Sequence, residues 1–138
     1  MPPKRRTERG GDVTVAFVIV SHSAKLAEGV VELAQQMAKS VEFRAAGGTD
    51  DGGIGTSFDA IYGAVEELTA AGHEVALLTD LGSADMTVDA VLELVDGDVV
   101  RFCPGPLVEG AVAAAVTAQV GGDLDAVAEA ARAKELFT

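Results

Sequence analysis

Tryptophan is absent from this chain of 138 residues, aromatic side chains make up only 4% of it, and cysteine occurs once, at Cys103. A single thiol excludes an internal disulfide and fits a reducing, cytoplasmic setting. With so few rings, the core must be built from Val, Leu, Ile and Ala, drawn from a composition that is 49% hydrophobic. That is the usual filling of helices packed on a parallel sheet. Long apolar runs are missing as well: no stretch approaches the ~18 residues of a membrane helix, and Thr7–Asp12 interrupts the sequence where a secretory signal would turn apolar. Cations are scarce, with ten Lys and Arg against 22 Asp and Glu. Four of those ten, Lys4, Arg5, Arg6 and Arg9, fall in residues 1–12, which read as a disordered basic tail. Residues 13–138 then carry six basic and twenty acidic groups, a formal charge of −14. So acidic a body repels polyanions, which excludes a nucleic-acid surface. His22, His73 and Cys103 stand far apart and make no zinc spacing, so neither a metal nor a cofactor is expected.

What is present is an alternation of β-branched runs with helical periods, the pattern of βαβ units. Strands are predicted at Val13–Val20, Val41–Ala46, Glu74–Thr79 and Asp98–Cys103, each nearly continuous in apolar residues, as for strands covered on both faces. Helices are predicted at Lys25–Ala38, with Leu26, Val30, Leu33, Ala34 and Met37 on its buried face, and at Ser57–Ala71, with Ile61, Val65 and Leu68. Three more follow at Ala84–Leu94 (Met86, Val88 and Leu92 inward), Leu107–Ala118 and Leu124–Leu136. The fold class expected is α/β: a single domain with an open, doubly wound, mainly parallel four-stranded sheet and helices on both faces.

Ligands of such sheets sit outside the carboxyl ends of the strands. That edge collects Ser21-His22-Ser23, the glycine-rich loop Gly47–Ser57, Asp80–Ser83 and Pro104–Pro106. His22 ends the first strand, where a neutral imidazole can act as a nucleophile or serve as a structural hydrogen-bonding residue. Ser23 can cap the helix that follows, which would place a phosphoryl group on the ring near unpaired N–H groups. The glycine-rich loop either approaches an anion closely or is a plain solvent loop; it is not a Walker A loop, since no Lys precedes Thr56 or Ser57. Asp80 directly follows its strand and can either orient the imidazole of His22 or cap the next helix. His73 precedes its strand and belongs to the opposite edge, and Cys103 reads as a buried small hydrophobe.

Four blocks in order, VIVSHSAKLAEGV-ELAQQM, AAGGTDDG-IGTSFDAI, LLTDLGSADM and PLVEGAVAAAV, closely resemble the phosphotransfer subunit of bacterial phosphotransferase-system-dependent dihydroxyacetone kinases, a relative of mannose-class enzyme IIA domains. The resemblance spans residues 13–136 and marks 13–138 as an enzyme IIA-like phosphocarrier domain. It implies that His22 accepts a phosphoryl group from the phosphocarrier HPr, as a tele-phosphohistidine. The group would then pass to ADP held on the nucleotide-binding subunit of the kinase. It further implies that Asp80 orients His22, that Ser23, Gly55, Thr56 and Ser83 form the phosphate loop, and that the protein is a homodimer touching neither membrane nor nucleic acid. A regulator phosphorylated only to report phosphotransferase-system status is the alternative. A flavodoxin-type binding module is disfavoured by the lack of stacking aromatics, and a receiver domain by Ser-His-Ser where acidic residues would stand.

Overall fold

The computed structural model describes residues 14–134. The basic tail, Val13 and the end of the last predicted helix lie outside the described residues. Nine elements follow in order: β1 (Val15–Ser21), α1 (Ala24–Met37), β2 (Phe43–Gly47), α2 (Phe58–Ala70), β3 (Glu74–Thr79), α3 (Gly82–Leu92), β4 (Val100–Phe102), α4 (Leu107–Gln119) and α5 (Leu124–Ala131). The strands form one parallel sheet in the order β2-β1-β3-β4. This is the expected doubly wound α/β architecture.

Alternation along β1 divides the core in two. Val15, Phe17 and Ile19 face α1, α4 and α5, whereas Ala16, Val18 and Val20 face α2 and α3. Each of these six side chains is at most 3% exposed, and β1, like β3, is an interior strand of the sheet. Burying a Val, Ile or Phe side chain contributes about 1.5–3 kcal/mol. β1 connects through α1 to β2 on one side, and the chain then crosses back through α2 to β3 on the other side of β1, so the sheet's switch point lies between the carboxyl ends of β1 and β3.

Two helix faces differ from expectation. On α1 the buried residues are Ala27, Val30 and Ala34, while Leu26, Leu33 and Met37 are 42%, 47% and 57% exposed. Small side chains at 27 and 34 let this helix lie close to the sheet, which rotates the larger ones away; hydrophobicity alone does not register that preference for smallness. Likewise Ala84, Val88 and Val91 of α3 face inward, and Met86 is 74% exposed. The last strand is shorter than predicted because residues 96–99 turn, with the N–H groups of Val99 and Val100 both donating to the Asp96 carbonyl.

Candidate active site

The register of β1 against β3 pairs Val20 with Thr79, so the next residues, Ser21 and Asp80, leave the sheet side by side. His22 follows directly, and its Nδ1 lies 2.9 Å from Asp80 Oδ1. Asp80 is bound on both oxygens. Oδ2 accepts from Ser21 Oγ at 2.8 Å and from the His22 backbone N–H at 3.0 Å, while Oδ1 also accepts from the Leu81 N–H at 2.8 Å. The side chains of His22 and Asp80 are 18% and 12% exposed. Burial pushes the Asp80 carboxyl up, but hydrogen bonds from the His22 ring, the His22 backbone and Ser21 outweigh it and hold the group below its ordinary value of 3.8. An ionised carboxylate can only accept, so Nδ1 of His22 carries the hydrogen. In the neutral ring the lone pair then belongs to Nε2.

That second nitrogen points at α3, where Ser83 Oγ lies 2.5 Å away. Leu81 is the N-cap of α3 and supplies no side-chain cap. The N–H groups of Gly82 and Ser83, in the first turn, have no acceptor within the helix. The positive end of a helix dipole therefore stands open beside Nε2, a favourable environment for an anion. The sequence suggested α1 for this place. There, however, Ser23 Oγ accepts from the Leu26 N–H at 3.2 Å, so that helix end already carries a side-chain cap.

The glycine-rich loop serves the turn from behind. The Gly48 N–H donates to the Ser21 carbonyl at 3.1 Å and the Gly55 N–H to the His22 carbonyl at 2.9 Å. Gly53 N–H turns inward onto Thr49 Oγ1 and Asp51 Oδ1. At Gly47 an added Cβ would come within 2.5 Å of the Ser23 carbonyl oxygen, so only glycine lets β2 end this close to the start of α1. Thr56 Oγ1 pairs with Thr87 Oγ1 at 2.8 Å, which ties the loop to α3 without reaching the imidazole. Of the six residues singled out from sequence, then, Asp80 and Ser83 contact the His22 ring, Gly55 holds its backbone, and Ser23 and Thr56 brace neighbouring elements. His73 stands at the amino edge against Thr14. Cys103 is 1% exposed, and burial raises its thiol to about 11, so it is no nucleophile at neutral pH.

Ser21 was missed by sequence reasoning. It is fully buried, donates to Asp80 and accepts the Ser23 N–H at 3.0 Å. Its signal was a lone hydroxyl ending an otherwise apolar strand. Among the described residues no three His, Cys, Asp or Glu side chains gather to hold a metal ion, and no helix is long and apolar enough to cross a membrane.

This geometry can be set beside known proteins. A family described as the PTS system fructose IIA component, EIIA-man, matches residues 16–128. The chain belongs to that family. Among curated relatives of this EIIA-man chain, a Lactococcus lactis protein named PTS-dependent dihydroxyacetone kinase, phosphotransferase subunit DhaM, is 41% identical over 117 residues, covering 85% of this chain and 93% of that one. The Escherichia coli protein named PEP-dependent dihydroxyacetone kinase, phosphoryl donor subunit DhaM, is 43% identical over 120 residues; these are 82% of this chain but only 25% of the longer E. coli chain. Among solved structures, the protein EF1359, of unknown function, superimposes with a TM-score of 0.79 at 30% identity, covering 88% of this chain and 95% of its own. A sigma-54 interaction domain protein from Enterococcus faecalis shares the fold, with a TM-score of 0.65 at 16% identity.

Proposed function

We propose that this protein is a phosphohistidine carrier and the phosphoryl-donor subunit of a phosphoenolpyruvate-dependent dihydroxyacetone kinase. The observation that carries the reading is the imidazole of His22, fixed by Asp80 through Nδ1 with Nε2 aimed at the open N-terminus of α3. In the first step the Nε2 lone pair attacks phosphorus on phosphorylated HPr. The donor's P–N bond breaks and its electron pair returns to the donor imidazole. Positive charge gathered by the His22 ring is stabilised by the Asp80 carboxylate. In the second step a β-phosphate oxygen of ADP, held on the kinase's nucleotide-binding subunit, attacks the same phosphorus. The P–Nε2 bond breaks, its electron pair returns to His22, and ATP forms on the partner.

Within this reading the four loop residues divide their work. Ser83 Oγ covers Nε2 in the resting state, and its hydroxyl donates to the lone pair; on transfer it swings to a phosphoryl oxygen, joined by the backbone N–H groups of Gly82 and Ser83. Gly55 holds the backbone on which His22 stands, and Ser23 and Thr56 brace the elements beside it. The family match and the names of the curated relatives support the assignment.

Incubation with phosphoenolpyruvate, enzyme I and HPr should add one acid-labile phosphoryl group to the wild-type chain, located by mass spectrometry on His22. His22→Ala should add none while keeping its fold, because the side chain leaves the sheet at its edge and fills no part of the core. Labelled phosphate retained by that variant would sink the assignment. Loss of the label on adding the ADP-loaded kinase subunit separates a carrier from a regulator that only reports phosphorylation.

A further inference from the structure

Ser21 ends β1, a strand whose other residues, Val15–Val20, are all apolar and buried, and its own hydroxyl is buried with them. A hydroxyl withdrawn from water is costly unless it is hydrogen-bonded, so for packing alone an apolar side chain would serve better here. The hydroxyl is used in both directions. Oγ accepts the Ser23 N–H at 3.0 Å and donates to Asp80 Oδ2 at 2.8 Å. An N–H can only donate, so the bond from Ser23 decides which way the hydroxyl turns and leaves its one hydrogen for the carboxylate. Asp80 is thereby gripped on the oxygen that does not touch the imidazole, while Oδ1 faces Nδ1 of His22 at 2.9 Å.

We infer that Ser21 is a positioning residue for phosphoryl transfer, acting on the His22 ring through Asp80: it clamps Oδ2 so that Oδ1 stays aimed at Nδ1. The inference rests on the phosphocarrier reading, whereas the clamp itself belongs to the resting protein. Besides the imidazole and Ser21, Asp80 is held by two backbone N–H groups, those of His22 and Leu81. The first moves with the turn that carries the imidazole, and the second is the neighbour of Asp80 in its own chain. Ser21 alone references the carboxylate to the buried end of the sheet. Positive charge that gathers on the ring as phosphorus bonds to Nε2 then meets a carboxylate already in place, with no reorganisation at that moment. Burial raises the Asp80 carboxyl, and the bond from Ser21 is one of those that bring it back below 3.8. Loss of the hydroxyl therefore raises the proton affinity of Asp80 as well as loosening its aim.

The test is a double-mutant cycle of Ser21→Ala and Asp80→Asn, read as the rate of phosphorylation by phosphorylated HPr, with circular dichroism to check the fold. Ser21→Ala should lower kcat by about three- to tenfold and leave KM for HPr unchanged, since the residue is buried and meets no partner. In the Asp80→Asn background the same change should cost less than about twofold, because the carboxylate it acts through is gone. Carbon-13 NMR of the Asp80 carboxyl needs no transfer. Its titration midpoint in Ser21→Ala should lie higher by about one pH unit, as for the loss of one hydrogen bond to a charged group. Ser21→Cys, whose S–H is a weak donor, should fall between wild type and Ser21→Ala in both measurements, and it carries the comparison if the alanine variant does not fold. A wild-type kcat in Ser21→Ala, losses that multiply in the double variant as for independent sites, or an unmoved Asp80 midpoint overturns the assignment while the carrier reading stands. If the wild type takes no phosphate from HPr, the carrier reading fails and the transfer role of Ser21 with it, and the midpoint alone then reports whether Ser21 grips Asp80.

Discussion

At the scale of single residues the site turns on one carboxylate holding one imidazole. Asp80 receives four hydrogen bonds, two on each oxygen, and three come from the Ser21-His22 turn. An amide in its place can present an N–H₂ to Nδ1, leaving the hydrogen on Nε2 and the lone pair on the wrong side of the ring. In a Ser-His-Asp triad the corresponding change costs ~10⁴-fold. For the less demanding chemistry proposed here Asp80→Asn should slow exchange with phosphorylated HPr by about 10–100-fold, roughly 1.4–2.7 kcal/mol of barrier. An unchanged exchange rate would reduce Asp80 to a cap of α3. Stability should carry a pH signature of the same carboxylate. Because its folded-state value lies below the ordinary 3.8, the folded protein holds fewer protons than the unfolded chain in that region. The stabilisation is complete above 3.8 and is lost as pH falls through the depressed value, so in acid melts the wild type should lose its advantage over Asp80→Asn only below about that pH.

At the scale of elements, strands were the more legible and helix faces the less. β3 matches its predicted bounds, and the placement of β3 beside β1 follows from doubly wound topology, which is why the pairing of His22 with Asp80 could be anticipated across a gap of 58 residues. The buried faces of α1 and α3 were read in part: Val30, Ala34 and Val88 are buried as expected, but Leu26, Leu33, Met37 and Met86 are exposed and close packing chose Ala27 and Ala84. The open end of α3 was invisible for a different reason: Ser83 resembles a cap in sequence, but it lies inside the first turn, with Leu81 at the capping position. Glycines in the loop from Gly47 to Gly55 read either as an anion cradle or as a plain solvent loop, and several of their N–H groups bond their own chain. Gly55 is the sharpest case, since its φ of 147° is strained for any L side chain and an added Cβ would come within 2.7 Å of Thr49 Cγ2. Gly55→Ala should therefore cost about 1–3 kcal/mol of stability and, by loosening the hold on the His22 carbonyl, lower the transfer rate too. Thermal melting with parallel transfer kinetics checks both; a variant that melts as wild type would show that the loop adapts freely.

For the molecule as a whole, charge decides which phosphate compounds are welcome. The sheet directs the N-termini of α1, α2 and α3 to one edge, and their dipoles favour anions there. Two of those ends carry a side-chain cap, Ser23 on Leu26 N–H and Ser57 on Ala60 N–H, whereas α3 has none, which suits the single phosphoryl group proposed for Nε2. A nucleoside triphosphate asks for more: several backbone donors in sequence and cations to offset about four negative charges. Residues 13–138 bear twenty acidic groups against six basic, and Arg44, Arg101 and Arg132 are already engaged with Glu67, Asp125 and Glu129. Among the described residues Lys25 is the one cation at the site's edge, and Coulomb repulsion from the rest acts over the ~8 Å Debye length of physiological salt. The isolated protein should accordingly show no stoichiometric ATP binding by calorimetry and no phosphorylation of His22 by ATP alone. A dissociation constant below ~1 mM, worth about 4 kcal/mol of binding, would mean that donors hidden in this edge outweigh its charge. The direct phosphoryl source would then have to be reconsidered as a nucleotide in place of a phosphoprotein.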